Sequence, residues 1–239
     1  MKPSYKWHLG GISENTYIER KANKIRELMD DMQAGRSIVY IDETSTHMWE
    51  KRSKIWMPKA DPIYLRLKQD RGCSRTIIGA ICKDFSLMQY QIVDKTNIVN
   101  VKKFLKFLCD DRATRIKDPS NTTIVLDNHA AHRSKKTKKY VREELGGLKL
   151  LFLPPAASEL NPIERMWAYF KHEWRLMLSD DVKFQITIEN IDTHLNSALN
   201  KVAGKGTNLC KGPLNEILLA NAHRFKDPRL HPFPRQVPS

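Results

Sequence analysis

Apolar positions recur along this chain at two periods, helical and continuous. Between residues 15 and 34, Tyr17, Ile18, Ile25, Leu28, Met29 and Met32 recur among many charges, which predicts an amphipathic helix ended near Gly35. Ser37–Ile41 is a short apolar run closed by Asp42-Glu43, and predicts a buried strand. Residues 44–74, with Trp49, Trp56, Pro58 and Pro62, predict irregular structure. Strands are expected at 75–82 and 86–93 around a turn at Asp84, then a helix over 98–110 with Val101, Phe104, Leu105 and Leu108 on one face. Thr122–Leu126 predicts a second buried strand running into Asp127, followed by a basic helix over 134–145. Leu148–Leu153 predicts a strand stopped by Pro154-Pro155. A helix beginning at Pro162 should face the core with Ile163, Met166, Trp167, Phe170, Trp174 and Met177, and another is expected over 186–202. The tail after 223 is rich in Pro, Arg and His and has no period. Together these elements predict an α/β fold: a mixed sheet with helices on both faces and strands 37–42 and 122–127 at its centre.

Charge changes the picture most. The 239 residues carry 41 Lys and Arg against 27 Asp and Glu, a formal net of +14. Such a surplus points to a polyanionic partner, nucleic acid above all, against the plainer reading of a basic enzyme surface. The four cysteines form no CxxC pair, which argues against a zinc ribbon. No apolar run leads from the N-terminus and none approaches membrane-spanning length, so reduced thiols and no membrane partner are expected.

Two predicted central strands each end in an aspartate, Asp42 and Asp127. Functional groups gather at the carboxyl ends of such strands. If the strands are parallel neighbours, the two carboxylates emerge side by side, where like charges repel unless a hard divalent cation sits between them. Taken alone, each Asp also fits a strand end turning into a loop. Glu164 follows Asn161 and Pro162 in an N-cap, N1, N3 pattern, so it fits a capping-box partner as well as an inward-facing ligand. Three carboxylates can hold two divalent ions about 3.5–4 Å apart, the arrangement used for in-line displacement at phosphorus.

Ile41-Asp42-Glu43-Thr44, Leu126-Asp127-Asn128-His129-Ala130-Ala131-His132, Leu153-Pro154-Pro155 and Leu160-Asn161-Pro162-Ile163-Glu164 resemble, in this order, the catalytic core of the Tc1/mariner and IS630 transposases. Trp56-Met57-Pro58-Lys59 resembles that family's segment after the first strand, and the likeness spans roughly residues 15–180. The resemblance implies an RNase H-like fold with a catalytic and metal-binding triad of Asp42, Asp127 and Glu164. It implies Mg²⁺ or Mn²⁺, two ions, as cofactor. The implied reaction is hydrolysis at the ends of a DNA element, then attack of the freed 3′-hydroxyl on target DNA, usually at TA. Double-stranded DNA is the implied partner and a homodimer the implied assembly. The Asp127–Glu164 interval is slightly longer than in many members, and Ala157-Ser158-Glu159-Leu160 departs from the family's usual residues before Asn-Pro. The family's paired helix-turn-helix modules would precede residue 1, so the sequence reads as a catalytic fragment or a shortened, domesticated relative.

Other residues are assigned by position. Glu43, Asn128, His129 and His132 are expected to support the metal ligands or touch DNA, with a turn residue as the plainer reading of Asn128 and zinc ligation weak for the histidines. Arg133, Lys135, Lys136, Lys138 and Lys139, extended by Lys51, Arg52 and Lys54, are expected to contact the DNA backbone, against a solvated helix face. Trp49, Trp56, Trp167 and Trp174 are read as packing residues. The expected division is a linker and helix over 1–35, a catalytic domain over 36–180, and a helix with a basic tail over 181–239. Location would be the nucleus in a eukaryote or the nucleoid in a bacterium. A DNA-binding scaffold with dormant catalysis, and a nuclease that cuts without joining, stay open as alternatives.

Overall fold

The computed structural model describes residues 14–48, 74–110, 115–155, 157–179 and 186–211. Five strands form one mixed sheet in the order β3-β2-β1-β4-β5. They are β1 (Ser37–His47), β2 (Ser74–Cys82), β3 (Gln89–Val93), β4 (Thr122–Leu126) and β5 (Lys149–Phe152). β1 pairs antiparallel with β2 and parallel with β4, while β2–β3 is antiparallel and β4–β5 parallel. The helices are α1 (Glu14–Gln33), α2 (Ile98–Leu108), α3 (Ala130–Arg133), α4 (Lys135–Glu144), α5 (Ile163–Ser179), α6 (Ile191–Ala203) and α7 (Gly206–Lys211).

Side chains alternate across a strand, so each central strand feeds two cores. Val39, Ile41, Ile124 and Leu126 pack with Val101, Phe104, Leu105 and Leu108 of α2 and Val141 of α4. Ile38, Tyr40 and Val125 pack on the other face with α1, α5 and α6. All six apolar residues predicted to face inward on α5 are buried. Each such burial contributes about 1.5–3 kcal/mol, which fixes α5 against β1 and β2.

Two expectations are corrected. β1 runs on to His47, because Thr44 and Thr46 are buried and residues 43–47 pair with β2, although they carry no apolar alternation. Met32 is exposed; its neighbour Asp31 turns inward instead, accepting from Lys149 Nζ at 2.8 Å and Thr123 Oγ1 at 3.0 Å. The expected basic helix is α4, and the short helix α3, which no expectation covered, precedes it and ends in Arg133; between them Ser134 caps α4, its hydroxyl accepting from the Thr137 N–H.

Candidate active site

The sheet register brings the two aspartates together. β1 and β4 pair from Ser37 with Thr122 to Tyr40 with Val125, and the same offset two residues on sets Asp42 opposite Asp127. Asp42 shares the strand face of Tyr40, toward α5. Glu43 shares the face of Ile41, toward α2 and α3.

Glu164 arrives on the first turn of α5. Buried Asn161 sets its place: the amide Nδ2 donates to the Ile41 carbonyl at 3.1 Å, and Oδ1 accepts from the Ile163 N–H at 3.3 Å. One side chain thus caps α5 and ties it to β1 beside Asp42. The Asn161 N–H donates to the Ser158 carbonyl, so Glu164 is not closing a capping box and its exposed carboxylate lines a cleft. Asn161→Ala is expected to cost about 1–2 kcal/mol in urea unfolding, through the lost cap and the stranded carbonyl. Unchanged stability would show that the helix start is held by packing alone.

Asp42, Asp127 and Glu164 line one cleft of about 220 Å³, with Asn128, Asn161 and the Pro154-Pro155 corner around them. No lysine, arginine or histidine lines it among the described residues. The electrostatics register that deficit. Burial, reinforced by the Glu164 and Glu43 charges, pushes the Asp42 carboxyl up to about 7, despite a hydrogen bond from the Trp167 indole N–H to Oδ2 at 2.9 Å. Burial and the Asp127 charge raise Glu164, with Lys171 opposing. Three oxygen-donor groups sharing a cleft that no basic side chain lines among the described residues fit a hard divalent ion.

Asp127 goes the other way. Burial pushes it up, but the His132 ring, the His129 N–H and the nearby histidine charges outweigh that and hold it below the usual carboxylate range. His132 is fully buried and bridges two acids: Nδ1 meets Asp127 Oδ1 at 2.8 Å and Nε2 meets Glu43 Oε1 at 2.7 Å. Burial opposes its protonation, yet the two carboxylates raise it to about 10. The bridging ring is therefore an imidazolium that clips the end of β1 to the end of β4. Ligand atoms of Glu43, Asp127 and His132 lie within 4.8 Å of one another, a spacing a metal could use. Here both ring nitrogens are already spent on carboxylates, so the group reads as a hydrogen-bonded clamp. Buried Thr137 braces it, donating to the Ala131 carbonyl at 2.7 Å.

The remaining expected residues separate. Asn128 lines the cleft and donates through Nδ2 to the Leu153 carbonyl, holding β4's end to β5's. His129 is exposed and its Nδ1 caps α3 by accepting from the Ala131 N–H. Arg133, Lys135, Lys136, Lys138 and Lys139 are all exposed. Lys51, Arg52, Lys54, Trp49 and the Trp56–Lys59 segment lie outside the described residues. α4 carries no acid in its first turn, so its lysines crowd the positive end of the helix dipole. That is locally unfavourable and is relieved by an anion. Two residues do more than the sequence predicts: Asn161, expected as a cap alone, also lines the cleft, and Trp167, expected as core alone, also donates to Asp42. Trp167 stands one helical turn after Glu164, and that spacing was the available signal.

Residues 37–184 match the family described as DDE superfamily endonuclease. An uncharacterized protein, y4pE/y4sA of Sinorhizobium fredii (strain NBRC 101917 / NGR234), is 31% identical over 87 residues, 36% of this chain and 57% of that protein. The match thus spans little more than half of that curated relative. The fold is similar to that of the Mos1 mariner paired end complex with Mn, at TM-score 0.67 and 15% identity over 95% of this chain and 67% of that one. It is also similar to the Mos1 transposase catalytic domain with Raltegravir and Mg, at TM-score 0.58 and 13% identity over 88% and 96%. At these identities the likeness establishes an RNase H-like fold.

Proposed function

The chain belongs to the DDE superfamily endonucleases, and from that premise we propose that it is a transposase catalytic domain, cutting DNA at the ends of an element and joining the freed 3′-hydroxyl to target DNA. The observation that carries this reading is the convergence of Asp42, Asp127 and Glu164, from three separate elements, on one cleft that no lysine, arginine or histidine lines among the described residues. Those three residues would hold Mg²⁺ or Mn²⁺, with two ions expected in the working site. Metal bound there would supply activation of the attacking oxygen and charge compensation at the leaving one. The chain's own residues do the rest. Asn161 and the imidazolium clamp fix where the carboxylates stand, and the Pro154-Pro155 corner walls one side of the cleft.

Duplex DNA is the substrate. The net charge of +14 and the exposed lysines of α4 supply its backbone contacts. Replacing Lys135, Lys136, Lys138 and Lys139 by Gln is expected to weaken binding of every sequence alike and to flatten log K against log salt by about 0.9 per lost contact, read by fluorescence anisotropy. An unchanged slope would place the DNA track elsewhere. The reading as a whole is tested with a supercoiled plasmid and with an oligonucleotide duplex ending in a pre-cut 3′-hydroxyl, each with and without Mn²⁺. Metal-dependent nicking together with joined product is expected. Nicking without joining would make it a nuclease, and neither product would leave a DNA-binding scaffold.

A further inference from the structure

Trp167 is buried in the core, yet its indole N–H does not end there: it donates to Oδ2 of Asp42 at 2.9 Å. Space for the ring comes from the neighbouring strand. Gly79 of β2 pairs directly with Asp42 across β1–β2. A Cβ built at Gly79 would stand 2.4 Å from Trp167 Cη2 and 3.0 Å from Cζ2, so no residue with a side chain fits there without displacing the indole. Ile163, from the turn that carries Glu164, is the next atom met, at 3.4 Å.

We infer that Gly79 and Trp167 form a positioning device for the candidate metal site: the missing side chain of Gly79 lets the indole approach β2 closely, and its N–H engages one oxygen of Asp42, leaving the other to face the cleft. The inference rests on the metal-binding reading of Asp42. Physically, a carboxylate free to rotate presents either oxygen, and a metal site pays for fixing it on binding. A fixed donor removes that freedom in advance. Trp167 sits one turn beyond Glu164 on the same helix face, so the same packing contact sets the spacing between Glu164 and Asp42. Gly79 and Trp167 are positioning residues.

The test uses the protein with Mn²⁺ alone, free Mn²⁺ being read by its electron paramagnetic resonance signal, with thermal unfolding alongside. Trp167→Phe keeps a ring in the core and removes the N–H. It is expected to weaken Mn²⁺ binding roughly tenfold or more, as loss of a ligand's hydrogen-bond partner does elsewhere, while the metal-free protein stays folded and DNA affinity without metal is unchanged. Gly79→Ala is expected to weaken Mn²⁺ binding similarly by displacing the ring. The double variant should then be no weaker than the poorer single one, because both act through one hydrogen bond. Wild-type Mn²⁺ affinity in Trp167→Phe, or additive losses in the double variant, would overturn the inference while leaving the metal site standing. If the wild-type protein itself failed to bind Mn²⁺, the metal reading would fall and this inference with it.

Discussion

Asp127→Asn is expected to lower metal-dependent strand cleavage about 10³-fold or more, with Asp42→Asn and Glu164→Gln doing the same. Each change keeps the side chain's shape and removes one negative ligand. Divalent ions supply several kcal/mol of transition-state stabilisation at phosphorus, and each 1.36 kcal/mol is about tenfold in rate. The stability effects should differ in sign, which separates a lost ligand from a damaged fold. In metal-free protein the Asp42 charge is buried and repelled by the Glu164 and Glu43 charges, so neutralising it removes a repulsion. Asp42→Asn should therefore unfold at or above the wild-type temperature without metal. Asp127 instead accepts from His132 and from the His129 N–H, and its side chain is 50% exposed. Asp127→Asn should cost about 1 kcal/mol, the exposure keeping the loss small. Adding Mn²⁺ should raise the unfolding temperature of wild type and of neither variant. Wild-type cleavage by Asp127→Asn would remove that residue from the site.

Much of this arrangement was legible in residues, and the reason is local. Asp42 and Asp127 close continuous apolar runs, and a buried strand that ends in an acid announces both its burial and its end. Asn161, Pro162 and Glu164 mark a helix start by capping chemistry that acts within one turn. β1 was read short for the converse reason. Thr44, Ser45 and Thr46 are polar by composition, and only their pairing with β2, which no local pattern encodes, makes them strand. Met32 and Asp31 traded places because the partners of Asp31, Lys149 and Thr123, are supplied by distant strands.

The same distance limit hid what supports the carboxylates. Trp167 reaches Asp42 across 125 positions, and His132 reaches Glu43 across 89. Periodicity marks the tryptophan as core, which it is, and says nothing of where its N–H points. Glu43 reads as a second acid beside Asp42. Strand alternation turns it to the opposite face, and only the fold reveals that an imidazolium waits there. The ligand candidates were thus readable from where elements end. The residues that hold those ligands still became visible only when separate elements were brought side by side.

That second layer carries the other large effect. His132→Leu should destabilise the protein by about 3 kcal/mol, because removing one partner of a buried charge pair strands the other. The His132 side chain is 1% exposed and that of Glu43 11%, so the Glu43 carboxylate would be left nearly dry and unpaired. Half-exposed Asp127 can recover water, which is why the figure stays at the lower end of the range for such losses. In a domain of this size about 3 kcal/mol lowers the unfolding temperature by roughly 10 °C. Activity should fall about 10–100-fold even with saturating metal at a temperature where the variant is folded, since Asp127 loses its orienting bond. Pairing the change with Glu43→Leu distinguishes a charge clamp from simple packing. If the cost comes from a stranded carboxylate, His132→Leu/Glu43→Leu should be more stable than His132→Leu alone, while cleavage stays low. A double variant less stable than the single one would mean that His132 acts through packing, and that the two strands are held together without it.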